Sequence, residues 1–102
     1  MKILFICNQG ENRSRTAAEF FKEHETRYKG IYYNLVSESD LEWADLVVVM
    51  EDFQRTEIGK LFPEQYLKKK IISFDIPDIY RYGQQELYDI LKMKKHINEE
   101  IK

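Results

Sequence analysis

The residues that could do chemistry lie in one stretch near the N-terminus, Cys7-Asn8-Gln9-Gly10-Glu11-Asn12-Arg13-Ser14. A thiol is followed, after five residues, by a guanidinium and a hydroxyl. Ionised, a cysteine is a strong nucleophile. Arginine offers a planar fork that matches two oxygens of a phosphate. The residues between are polar or small. Gly10 is free to take positive φ, and the two asparagines tolerate it. Such a loop can turn successive backbone N–H groups inward and form an anion-binding nest. Arg13 and Arg15 would stand in the first turn of a helix, where each cation opposes the macrodipole by about 0.3–1 kcal/mol. A bound anion would offset that cost. The chemistry implied is attack of the Cys7 thiolate on a phosphorus held by Asn8, Gln9, Gly10, Glu11, Asn12, Arg13 and Ser14.

Singly, these residues are unremarkable. A lone cysteine at a strand end is commonly a small buried hydrophobe, and an arginine near a helix start is commonly solvated. Their conjunction points to phosphate, and it depends on the elements around them. Ile3 to Ile6 is apolar at every position, which suits a strand buried on both faces of a parallel sheet. Cys7 then ends that strand. From Ser14 to about Glu25 the pattern is helical, with Ala17, Ala18, Phe20 and Phe21 on one side.

Gly30 breaks the helical pattern, and Ile31 to Val36 is expected to form an edge strand. Ser39-Asp40-Leu41-Glu42 has the form of a capping box and predicts a helix over 40–44, with Trp43 anchoring it in the core. Leu46 to Met50 is a second buried strand. Glu51 and Asp52 suit the start of a helix that ends near Leu61, before Pro63. Lys68-Lys69-Lys70 leads into a last strand, Ile71 to Phe74. A final helix over 84–101 carries a stripe of Leu87, Ile90, Leu91, Ile97 and Ile101.

Four strands alternating with helices predict an α/β fold, a single domain over residues 1–102. It is a flavodoxin-like three-layer sandwich with a four-stranded parallel sheet in the order 2-1-3-4 and helices on both faces. In that order the chain changes direction beside the first strand, and ligands bind there, at the carboxyl ends of the strands. Cys7 occupies that place. The last strand delivers Asp75-Ile76-Pro77-Asp78-Ile79-Tyr80-Arg81-Tyr82 to the same rim. Phosphoryl transfer to a thiolate needs a proton donor for the leaving oxygen, and Asp75 and Asp78 are the candidates.

Composition narrows the function classes. A net charge of −2 gives no support to nucleic-acid binding. One cysteine excludes an internal disulfide and a zinc site built from several thiolates, and His24 and His96 have no ligand-like spacing, so no metal is expected. The apolar start is too short for a signal peptide or membrane span. A cytoplasmic monomer is expected, with a thiol that stays reduced and no membrane partner.

Cys7, Arg13 and Ser14, in type, spacing and place, resemble the signature of the low-molecular-weight protein tyrosine phosphatases. Pro77-Asp78-Ile79-Tyr80 is similar to that family's Asp-Pro-Tyr acid loop, with Ile79 where proline is usual. Leu41 to Met50 looks like its helix leading into the third strand. The resemblance implies a cysteine-dependent phosphatase acting on phosphotyrosine or small aryl phosphates, without a cofactor. Cys7 is then the nucleophile, Arg13 the phosphate ligand and Asp78 the general acid, with Asp75 the fallback. Ser14 assists the thiolate, and Tyr80 and Tyr82 wall the entrance. This chain is shorter than usual members and differs in its loop. Gln9 and Gly10 replace a glycine and the asparagine that braces the loop, so Asn8 or Asn12 must brace it, or the loop is looser. Asn12 stands where some members carry a second cysteine. Asn8 and Glu11 make the mouth more polar. Alternatives are an arsenate reductase-like enzyme, a phosphoarginine phosphatase, a phosphocysteine domain of sugar transport systems, and a non-catalytic phosphate- or phosphopeptide-binding module.

Overall fold

The computed structural model describes residues 1–101. The elements run β1 (Lys2–Cys7), α1 (Arg13–Phe20), β2 (Glu25–Gly30), α2 (Glu38–Trp43), β3 (Leu46–Val49), α3 (Asp52–Leu61), α4 (Pro63–Lys68), β4 (Lys70–Ser73) and α5 (Gln85–Ile97), then a short 3-10 turn, Glu99–Ile101. All strand pairs are parallel, in the order β2-β1-β3-β4. This is the flavodoxin-like architecture that the alternation of strands and helices predicts.

The pleat of the two central strands divides the core. Ile3, Phe5 and Cys7 face one way with Leu46 and Val48, and pack against Ala17 of α1, Phe21 just after it, and Leu87 and Leu91 of α5. Leu4, Ile6, Val47 and Val49 face the other way, against Leu41 of α2 and Ile58 of α3. Both apolar runs are thus buried on both faces, and Ile3 to Ile6 have no exposed surface. Phe5 stacks on Phe21 with ring centres 5.5 Å apart.

Several boundaries differ from the sequence pattern, each for a physical reason. The second strand is Glu25–Gly30, not 31–36. As an edge strand covered on one side it needs few apolar residues, so its Glu-Thr-Arg-Tyr-Lys-Gly sequence carries little β signal. The apolar-looking 31–35 segment is instead a turn that exposes Tyr32, Tyr33 and Leu35. The capping box of α2 is built by Ser37 and Asp40: the Asp40 N–H donates to Ser37 Oγ and the Ser37 N–H to Asp40 Oδ2. Pro63 does stop α3, but it also opens α4 at its first turn, where a missing N–H costs nothing. Lys69 donates to the carbonyls of Glu42 and Ala44 at the end of α2. Trp43 is half-buried under the guanidinium of Arg27, 4.2 Å from the ring centre. The last helix ends at Ile97, which is exposed, and the 3-10 turn returns Ile101 to the core.

One pairing positions the site. Cys7 lies opposite Gly30 in the β1–β2 ladder, and the loop after Cys7 folds directly over Gly30. A Cβ at Gly30 would stand 2.2 Å from the Tyr33 carbonyl and 2.6 Å from the Gly10 nitrogen, backbone atoms that cannot yield cheaply. Gly30→Ala is expected to cost about 1–3 kcal/mol, read as a lower urea midpoint with an unchanged slope. An unaltered midpoint would show that the loop can lift off β2 freely.

Candidate active site

The chain leaves β1 at Cys7, curls, and enters α1 at Arg13. Gly10 takes positive φ (65°), as the sequence requires, and its N–H donates to Cys7 Sγ at 3.2 Å. On the other side the Cys7 thiol donates to Ser14 Oγ at 3.1 Å. Deprotonation would reverse that second bond, so two donors would then face the sulfur. Neither Asn8 nor Asn12 adopts positive φ. The asparagine that does is Asn34 (φ 49°), in the turn after β2.

Asn34 is the brace of this loop. Its Nδ2 donates to the Gly10 carbonyl at 3.0 Å and to that of Tyr28 at 3.2 Å. The Asn34 carbonyl accepts from the Gly30 N–H at 2.8 Å. The same turn holds the start of the loop through the N–H groups of Ile31 and Tyr32, which reach the Asn8 carbonyl at 3.1 and 2.9 Å. Asn8 and Asn12 act elsewhere. Asn8 accepts from Gln54 Nε2 at 3.0 Å and donates to Asp78 Oδ2 at 3.3 Å. Asn12 Oδ1 accepts from the Tyr82 N–H at 3.1 Å.

Arg13 is 1% exposed. A guanidinium so buried must be paired and hydrogen-bonded. Its Nη1 pairs with Glu51 Oε1 and donates to the Ile76 carbonyl at 2.7 Å. Its Nη2 is buried, has no hydrogen-bond partner among the described residues, and lies 3.6 Å from Asp78 Oδ1. Half of the fork is therefore anchored, and the other half has no hydrogen-bond partner among the described residues. Glu51 caps α3 at the end of β3, and Gln54 Oε1 accepts from the N–H groups of Met50 and Glu51 at 2.9 and 3.0 Å.

The structure brings Cys7, Arg13, Ser14 and Asp78 to one rim. Asp75 stays apart, bound locally to Ser73. Tyr80 is half-buried and packs against the α1–α5 core. Tyr82 lies on α1, with its hydroxyl on Glu19 and its ring under Arg15. Glu11 lines a polar cavity of about 350 Å³ with Gly10, Arg15, Tyr28, Tyr33 and Asn34, which includes neither Cys7 nor Arg13. Gln9 is exposed at the loop crest. Glu51, Gln54 and Asn34 belong to the site although their spacing did not single them out. Glu51 follows a buried parallel strand, and every such strand end lies on the ligand rim. Asn34 interrupts an apolar run. No group of three or more metal-binding side chains is found among the described residues, and no described helix is long and apolar enough to cross a membrane.

By sequence, the chain matches no family model and no curated protein. By structure, it matches phosphatases along most of its length. The tyrosine phosphatase Wzb from Escherichia coli K30, solved with phosphate, superposes with a TM-score of 0.76 at 18% identity, covering 93% of each chain. The low-molecular-weight protein tyrosine phosphatase from T. tengcongensis gives 0.74 at 18% identity and 91% of each chain. The YwlE arginine phosphatase from Geobacillus stearothermophilus gives 0.68 at 19% identity, over 91% of this chain and 84% of that one. The fold is thus that of the low-molecular-weight tyrosine phosphatases.

Asn34→Gly retains the backbone conformation and removes both side-chain bonds, the one to Gly10 of the loop and the one to Tyr28 of β2 beneath it. Two neutral hydrogen bonds contribute about 1–2 kcal/mol together. Orthophosphate affinity, measured by titration calorimetry, should fall about 5- to 30-fold. Unchanged affinity would mean that the loop keeps its shape without Asn34.

Proposed function

We propose that this protein is a cysteine-dependent phosphatase that hydrolyses phosphotyrosine and other aryl phosphates through a thiophosphate on Cys7. The observation that carries the reading is the open half of Arg13. A buried guanidinium nitrogen without a hydrogen-bond partner, on the residue that ends the loop after Cys7, has a carboxyl group 3.6 Å away. A phosphoryl oxygen would satisfy that nitrogen.

In the proposed reaction the Cys7 thiolate attacks phosphorus opposite the leaving oxygen. The S–P bond forms as the P–O bond breaks, and Asp78 gives its proton to the departing oxygen. Loop N–H groups and Arg13 Nη2 hold the equatorial oxygens, where most of the stabilisation arises. The Asp78 carboxylate then takes a proton from water. That water attacks the thiophosphate, the S–P bond breaks, and Ser14 donates to the returning thiolate. Glu51 and the Ile76 carbonyl keep the guanidinium plane fixed throughout. The exposed rings of Tyr32 and Tyr33, on the turn bonded to Asn8, are available to an aryl group.

A phosphoarginine substrate is the second reading. Glu51, Asp52 and Asp75 line a cavity of about 300 Å³ with Phe53 and Pro77, beside the arginine site. That acidic rim would suit a phosphorylated group carrying a cation. A higher kcat/KM for phosphoarginine than for phosphotyrosine selects it.

Cys7→Ser should abolish turnover of p-nitrophenyl phosphate and keep orthophosphate binding. Undiminished turnover would end the covalent mechanism, and a wild-type protein that binds phosphate without turnover would be a binding module. Asp78→Asn should lower kcat/KM for phenyl phosphate about 10²-fold or more. It should affect 2,4-dinitrophenyl phosphate much less, because that leaving group departs unprotonated. Equal losses on both esters would remove Asp78 from the acid role.

A further inference from the structure

Asp78 sits on a segment with little structure of its own. Between Ile76, whose N–H donates to the Met50 carbonyl, and the start of α5 at Gln85, the chain forms only local turns. The contacts of Asp78 itself are long, 3.3 Å to Asn8 and 3.6 Å to Arg13, and its carboxylate is 51% exposed. Such contacts hold a side chain weakly. Tyr80, two residues on, packs against the α1–α5 core, and the far end of the segment has a polar anchor of its own.

Four residues beyond Asp78, Tyr82 is clasped onto the outer face of α1. Its hydroxyl donates to the Glu19 carboxylate, with oxygens 2.7 and 2.6 Å away. The Arg15 guanidinium lies over the ring, 4.1 Å from its centre, and its Nε is 3.9 Å from Glu19 Oε1. The backbone joins in: the Tyr82 N–H donates to Asn12 Oδ1 at 3.1 Å, and the Gly83 N–H to Thr16 Oγ1 at 3.0 Å. The clasp also accounts for Arg15, a cation placed against the dipole of α1. Its guanidinium serves a tyrosine ring and a carboxylate.

We propose that Glu19 and Tyr82 are positioning residues for the reaction: their clasp on α1 fixes the segment that presents Asp78 to the leaving oxygen. The inference rests on the phosphatase reading. Neither side chain touches the Cys7 sulfur or Arg13. They act by tying the acid segment to the helix that carries Arg13 and Ser14, so that donor and phosphate site move as one body. A displacement of the acid by about 1 Å can cost as much as 10²-fold. The clasp is a charge-assisted hydrogen bond, stronger than a neutral one. Consistent with it, the Glu19 hydrogen bond holds the Tyr82 phenol above its ordinary pKa, with burial adding in the same direction.

The test is Glu19→Ala, Tyr82→Phe and their double variant, with phenyl phosphate and 2,4-dinitrophenyl phosphate as substrates. On phenyl phosphate, each single variant should lose about 5- to 20-fold in kcat/KM, and the double variant no more than either single. On dinitrophenyl phosphate, Glu19→Ala should change by less than about twofold, because that ester needs no proton. Glu19→Gln, which still accepts a hydrogen bond, should recover part of the loss. In an Asp78→Asn background, Glu19→Ala should have no further effect. Equal losses on both esters, additive losses, or a full effect without Asp78 would each overturn the proposal. Amide exchange supplies a readout independent of turnover: Glu19→Ala should speed exchange at Tyr82 and Gly83. Unchanged exchange would show that the clasp does not hold the segment. A wild-type protein that fails to hydrolyse either ester would refute the phosphatase reading, and the exchange experiment would still decide on the clasp.

Discussion

The site depends on a buried positive charge. Arg13 is almost entirely removed from water, which costs several kcal/mol for an ion unless partners replace the lost hydration. Those partners come from the ends of two other strands. Glu51 follows β3, and the Ile76 carbonyl follows β4. The guanidinium thus ties the loop after β1 to the rest of the sheet's carboxyl rim. It also explains why one nitrogen is left over: Nη1 takes both partners, and Nη2 has no hydrogen-bond partner, with Asp78 Oδ1 3.6 Å away. Anchored through Nη1, the fork is held in place by the fold itself.

The sulfur is prepared in the same manner from nearer elements. Cys7 lies on the α1–α5 face of the sheet because its position in the pleat matches Ile3 and Phe5. That parity puts the side chain beneath α1, within reach of Ser14. The loop then has to return across β2, and only a residue without a side chain at Gly30 lets it pass. Asn34 closes the arrangement by accepting a left-handed conformation and spending its amide on the Gly10 carbonyl. The shallow, polar surroundings of the loop follow from these choices. The apolar mass of the molecule is below the rim, in the two layers that flank the sheet.

Much of this was legible in the residues alone. The two apolar runs at 3–6 and 46–50 declared central parallel strands, since strands covered on both faces tolerate no polar position. Cys7, Arg13 and Ser14 declared the loop by type and spacing. The rim followed from the order of strands and helices, because carboxyl ends of parallel strands lie together. Edge and junction elements were harder. β2 is polar because one side faces water, and α4 starts at a proline that reads as a breaker.

What the residues alone determined, then, is the buried part: the sheet, the strand that delivers Cys7, and the cysteine–arginine loop. Burial on both faces and a fixed short spacing leave few alternatives for such segments. What only the tertiary structure decided is the set of partners drawn from distant positions. Asn34 rather than Asn8 or Asn12 braces the loop, Glu51 holds Arg13, and Tyr82 turns onto Glu19 instead of across the mouth. Each of these pairs joins residues more than 20 positions apart through a polar side chain on a turn or bend. No periodicity governs such residues. Their partners are chosen by where strand ends and helix faces happen to meet, and that is a property of packing in three dimensions.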